Sequence, residues 1–179
     1  MLVGAFTAVA VSYFSGSWIL GVGAAMLAGA LIAMIIGVGH VKYKADNCAI
    51  GMGINMLALA ITKFLLNVVF NTNGSFTSPD IDPIPRVHLS FLEGIPVVND
   101  LLNDWSLMEW FVIVLIIILQ FLFYKTVWGL RLRAVGQFEE AAKTAGIKVN
   151  AVKYQAIFIA GLIGGLAGAH LSLGYSTQF

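Results

Sequence analysis

The sequence predicts an all-α, polytopic membrane helix bundle with four complete spans and one clipped span at its N-terminus. Three observations predict it. Of 179 residues, 59% are hydrophobic and 11% charged. An ordinary globular chain is about 25% charged, and a soluble chain this short has no core large enough to hide so much apolar surface. Apolar runs of span length also recur along the chain, and the polar segments between them differ in the sign of their charge.

Taken in order, Leu2–Phe14 is apolar but 13 residues long, against about 20 needed to cross a bilayer. It reads as the end of a helix whose beginning lies upstream, so the chain reads as an internal piece of a longer protein. "SGS" (15–17) is a tight break. Trp18–Gly39 is a full span, followed by the polar loop "HVKYKADN" (40–47). Cys48–Phe70 is a second span, interrupted by Asn55, Lys63 and Asn67. Residues 71–106 form a polar excursion holding all four prolines. Within it, Val97, Val98, Leu101, Leu102 and Trp105 make one apolar face of a helix lying on the membrane surface. Leu107–Tyr124 is a third full span, 125–153 a basic segment, and Tyr154–Tyr175 the last span. Residues 1–179 are read as a single transmembrane domain.

Loop charge sets the orientation. Segment 125–153 carries Lys125, Arg131, Arg133, Lys143, Lys148 and Lys153 against Glu139 and Glu140. The 71–106 excursion sets Arg86 against Asp80, Asp82, Glu93, Asp100 and Asp104. The positive-inside rule places 125–153 in the cytoplasm and 71–106 outside. Alternation of spans then puts 40–47, with Lys42 and Lys44, inside as well. Ala25, Gly29, Ala33 and Gly37 recur on one helix face, and Gly161, Gly165 and Ala169 on another. Small residues at this spacing let helix backbones approach closely in lipid.

Several function classes find no support. A net charge of +1 gives no field for nucleic acid. One cysteine, Cys48, allows neither an internal disulfide nor a cysteine-built metal site. No Gly-x-x-x-x-Gly-Lys-Ser/Thr loop is present, so the chain is not expected to hydrolyse ATP, and no cofactor is expected. Every Asp and Glu lies in a loop except Glu109 at a span end. That leaves a proton-coupled secondary transporter without the acid it usually carries deep in a span.

Between the last two spans stands "RAVGQFEEAAKTAGI" (133–147). Phe138, Ala141, Ala142 and Ala145 fall at i, i+3, i+4 and i+7, one apolar stripe of a helix. Glu139, Glu140 and Lys143 take the other side, with Glu139 and Lys143 spaced for an i,i+4 pair. Gly136 precedes the expected start, and Gly146 stands where a helix C′ residue ends it. A helix of about nine residues is not stable alone in water, so something must pack on it. A protein partner and the membrane surface both satisfy that need, and the shallow alanine face suits a partner's groove.

Here "GLRLRAVGQFEEAAKTAGIKVNAVKYQAIFIAGLIGGLAGAHLSL" (129–173) resembles the permease subunits of ABC importers, in the branch handling ribose-type sugars, nucleosides and branched-chain amino acids. "MLVGAF" (1–6), "AGALIAMIIGV" (28–38) and "IGMGINMLALAIT" (50–62) resemble the same family, within it most of all the nucleoside and simple-sugar permeases. The resemblance implies that 133–147 is the coupling helix docking on an ATP-hydrolysing subunit, with Arg133, Gly136, Phe138, Glu139, Glu140, Ala141, Ala142, Ala145 and Gly146 as its contact residues. It further implies a bacterial plasma-membrane location, a second permease subunit and an extracellular substrate-binding (lipo)protein. Asn55 either bonds a neighbouring helix or lines the translocation path, and the resemblance favours the path. His170 has the same two readings, structural hydrogen bonding or substrate contact. No metal site is expected.

Overall fold

The computed structural model describes residues 1–70, 86–87 and 105–176. Seven α-helices are placed among them: α1 (Leu2–Ser15), α2 (Trp18–Gly37), α3 (Asn47–Phe70), α4 (Leu107–Lys125), α5 (Val127–Gln137), α6 (Glu139–Thr144) and α7 (Val149–Ala169). π-helical turns extend α2 over Val38–Lys42 and α7 over His170–Ser176. Two two-residue strands, β1 (Arg86–Val87) and β2 (Trp105–Ser106), pair antiparallel. Trp105 is therefore in a strand and not on a surface helix. The rest of that expected helix, 97–104, lies outside the described residues.

Among the described residues, four helical stretches are long and apolar enough to cross a membrane: Trp18–Lys42, Cys48–Val69, Leu107–Lys125 and Val149–Gly174. Each contains most of one predicted span. The last begins five residues earlier than its apolar run, because the amphipathic turn 149–153 is already helical. The break at "SGS" comes from Gly16, whose φ of 61° is left-handed and costs a residue with a Cβ more. At the head of α4 the Glu109 carboxylate accepts from the Ser106 N–H at 2.6 Å, which satisfies one of the first-turn donors a helix leaves open.

The centre of the bundle is α1, α2 and α7 in close contact. In lipid there is little hydrophobic gain in pressing two apolar helices together, so approach depends on small residues. A Cβ on Gly29 would lie 2.5 Å from the Gly161 carbonyl oxygen and 2.8 Å from the Gly165 Cα. One on Gly165 would meet the Ala25 carbonyl oxygen and lie 2.8 Å from the Met26 Cα. The two small-residue faces read from the sequence are thus each other's partners. Ala8, Val9, Ala25, Met108, Leu166, Ala169 and Leu173 form the buried cluster above this contact. The Ser172 hydroxyl donates to the Ala5 carbonyl at 3.3 Å, tying the π-helical end of α7 to α1. Most of α3 and α4 remains exposed, with Thr62 and Leu66 the buried points of α3.

Candidate translocation groove and coupling helix

Between the first turn of α1 and the facing sides of α2, α3 and α7 lies a groove of about 670 Å³. Gly4, Gly29, Ala33, Gly51, Ala58, Gly161 and Gly164 bring backbone to its wall, and Ile32, Ile36, Ile54 and Ile157 supply branched aliphatic surface. Among the described residues lining it, Asn55 is the one with a polar side chain. Eight residues into α3, it stands about 12 Å along the helix. Two turns further on, Thr62 shares its face. The Thr62 residue is 2% exposed and its hydroxyl oxygen is buried with no partner among the described residues.

His170 does not line this groove. It stands six residues beyond Gly164, about 9 Å further along the axis, where α7 widens into its π turn. Its Nδ1 is buried with no partner among the described residues. The two candidate path residues are therefore not brought together, because α7 carries His170 past the groove's end.

At the basic end of the bundle, α5, α6 and the foot of α7 form a separate knot. The Thr126 hydroxyl accepts from the Gly129 N–H at 3.2 Å and caps α5, turning the chain away from α4. Gly129 fits against the Leu122 and Phe123 carbonyls with no room for a Cβ. The Arg133 guanidinium lies 5.0 Å from the Tyr124 ring centroid, a cation–π contact back to α4. Gly136 is exposed inside the last turn of α5, so it belongs to the preceding helix and does not lead into the next one.

The helix α6 spans six residues, Glu139–Thr144, and not the nine expected. Phe138 is extended at φ −151° and serves as its N-cap residue. At the other end the Gly146 N–H donates to the Lys143 carbonyl at 3.0 Å and the Ile147 N–H to the Ala142 carbonyl at 3.1 Å. This is a Schellman cap, and it needs the left-handed φ of 77° that Gly146 adopts. The expected apolar stripe splits. Ala142 is 3% exposed and turned into a cluster with Val135, Val149 and Val152, flanked by Leu132 and Ile147. Phe138, Ala141 and Ala145 stay exposed, because one turn and a cap cannot direct four positions at a single neighbour.

Charge holds α6 on α7. Lys143 pairs with Glu139 and Glu140, both at 3.1 Å, and Lys153 of α7 reaches the second Glu139 oxygen at 2.6 Å. The Glu139 carboxyl sits below its ordinary pKa, first through the bond from Lys153 and then through that from Lys143. Lys143 is raised by its bonds to Glu139 and Glu140. The Trp128 indole N–H donates to Gln155 at 2.8 Å, joining α5 to α7 as well. The Glu139–Lys143 pair was legible from spacing. Lys153 and Gln155, 14 and 27 positions from their partners, were not.

Membrane-length helices, an interhelical groove with one amide in its wall, and a short capped helix clamped outside the bundle define a polytopic membrane protein. The chain belongs to the family described as branched-chain amino acid transport system / permease component, which matches residues 1–179. It is 35% identical to the guanosine ABC transporter permease protein NupQ of Bacillus subtilis, over 94% of this chain and 54% of that one. It is 33% identical to the nucleoside ABC transporter permease protein NupC of Lactococcus lactis, over 86% of this chain and 48% of that one. A putative glucose ABC transporter permease of Haloferax volcanii is 26% identical over 98% of this chain and 53% of its own length. The chain thus spans about half the length of the curated relatives it matches. No solved structure matches it. With four membrane-length helices among its described residues, the chain is a multi-pass membrane member of this family.

Proposed function

We propose that this chain builds part of the translocation path of an ATP-driven importer for nucleosides or simple sugars, and couples to a separate ATP-binding subunit through residues 133–147. One observation supports the coupling role above others. Phe138 is 63% exposed and flanks exposed Ala141 and Ala145, on a helix tied to α7 by the Lys153–Glu139 pair and by buried Ala142. An anchored element with an unfilled apolar edge fits insertion into a partner's groove.

The loop charges put α5, α6 and the foot of α7 in the cytoplasm, and 71–106 outside to meet a substrate-binding protein. In this reading closure of the ATP-binding subunits moves α6. Glu139–Lys153 and the Ala142 cluster pass the displacement to α7, which shifts along the glycine face of α2 beside the groove. A second permease subunit completes the path. The family's description carries a rival cargo, branched-chain amino acids, which uptake assays separate from nucleosides and sugars.

Photocrosslinking from Phe138 and Ala141, in membranes containing the intact parent protein, tests the docking. A crosslink to an ATP-binding subunit is the expected result. Crosslinks to lipid alone would make 133–147 a membrane-surface helix and end the importer reading.

A further inference from the structure

We infer that α5 is a binding site for anionic phospholipid. It lies in the headgroup layer at the basic end of the bundle, with Val127 and Leu130 toward the acyl chains and Arg131 and Arg133 on lipid phosphates. Contacts already made fix how this helix is turned. Trp128 sets its ring 5.9 Å from that of Phe123 on α4 and gives its indole N–H to Gln155 on α7. Val135 is buried in the cluster with Ala142, Val149 and Val152, and Leu132 packs beside it. One face of α5 is therefore spent on α4, α6 and α7. Val127, Leu130 and Ala134 fall at i, i+3 and i+7 on the other side, where Val127 is 65% and Leu130 59% exposed. At about 3.6 residues per turn, Arg131 stands on one flank of this strip and Arg133 on the other. An aliphatic strip bordered by cations is the pattern of a helix lying in the membrane interface.

Position and charge agree with that pattern. Helix α5 begins at Val127, directly after the membrane-length stretch that ends at Lys125. Nine positions separate Tyr124 from Arg133, about 13 Å along one continuous axis. The guanidinium nonetheless lies 5.0 Å from the Tyr124 ring centroid, and the extended backbone at Thr126, φ −112° and ψ 154°, makes the bend. The helix thus runs across the foot of α4 and does not lead away from the membrane. Tyr124 and Trp128 are residue types that gather at this depth. Lys125, Arg131, Arg133 and Lys148 are exposed and make no ion pair among the described residues, whereas Glu139 and Glu140 are taken up by Lys143 and Lys153. Unneutralised cations beside a span complement the anionic lipids of the cytoplasmic leaflet, and a guanidinium can donate to two phosphate oxygens at once. Helix α6 carries both acids of the segment, so the phosphate surface suits α5 and the protein partner suits α6.

The test uses the intact parent protein, first in its own membranes and then purified. A benzophenone side chain placed at exposed Leu130 should give lipid adducts on illumination, identified by their mass. Adducts to protein alone, whether to another segment of the parent chain or to a partner subunit, overturn the site. The same probe at Ala141 reports separately on the coupling role, and lipid adducts there would sink that role while leaving the α5 site standing. Headgroup choice is measured on protein reconstituted with equal parts of phosphatidylglycerol and phosphatidylcholine, by counting the lipids it retains in native mass spectra. Phosphatidylglycerol should be retained in preference. Arg131→Gln should lower that preference about fivefold, the effect of one basic side chain at an anionic surface. Equal retention of the two lipids by the wild type, or an unchanged preference in Arg131→Gln, overturns the phosphate assignment.

Discussion

Replacing Gly165 with alanine tests the packing of α7 on α2 with a single methyl group. The new carbon would lie 2.8 Å from the Met26 Cα and closer still to the Ala25 carbonyl. Non-bonded carbons rest at about 3.5–4.0 Å, so the two helices must part by roughly 1 Å. The obstructing atoms are backbone, and no rotamer change relieves them. A gap of that size forfeits a quarter to a half of the dispersion attraction along the seam. Overpacking of this kind costs about 1–3 kcal/mol, and the upper half of that range applies where backbone meets backbone. For a chain of this size the melting temperature should fall on the order of 4–12 °C. Gly23→Ala on α2 is the control, since nothing lies within 4 Å of its added carbon. It should hold or gain up to about 1 kcal/mol from helix propensity. The assay is thermal unfolding in detergent followed by intrinsic tryptophan fluorescence. If Gly165→Ala melted with Gly23→Ala, the close-packed seam would not exist as described.

Two further outcomes concern the basic end. Ala142→Asp places a short, unpaired charge in the Val135–Val149–Val152 cluster and should destabilise the knot by more than about 3 kcal/mol. Ala141→Arg, on the exposed side, should leave melting unchanged while abolishing the crosslink to the ATP-binding subunit; equal melting of the two variants would refute the split stripe. Glu139→Gln should melt slightly below wild type at neutral pH and low salt, with the difference shrinking in high salt because the ion pairs are exposed. Glu139 titrates below its ordinary 4.5 in the folded chain, so its contribution is complete above about pH 4.5 and lost as pH falls through the lowered value. Lys143 titrates above 10.5, so its contribution is present below that and lost as pH rises through the raised value. A difference that persisted at pH 2 would show that the pairs to Glu139 are not its source.

Local spacing made much of this protein legible in its sequence. Span lengths follow from the thickness of a bilayer, and the break after α1 follows from Gly16. The end of α6 at Gly146 and the Glu139–Lys143 pair follow from geometry that repeats every three or four residues. The small-residue faces of α2 and α7 could be read for the same reason, since a helix places every fourth residue on one side. Which faces meet is another matter, because helix crossing brings together atoms that no periodicity relates. Only the tertiary structure turned Ala142 inward while leaving Phe138, Ala141 and Ala145 exposed. It alone joined Lys153 to Glu139 and Trp128 to Gln155, and set Asn55 in the groove wall with His170 about 9 Å beyond its end. The sequence by itself determined a membrane bundle with one short basic-end helix. The packing of α7 against α1, α2 and α6 decided which of its polar groups face a cavity and which face each other.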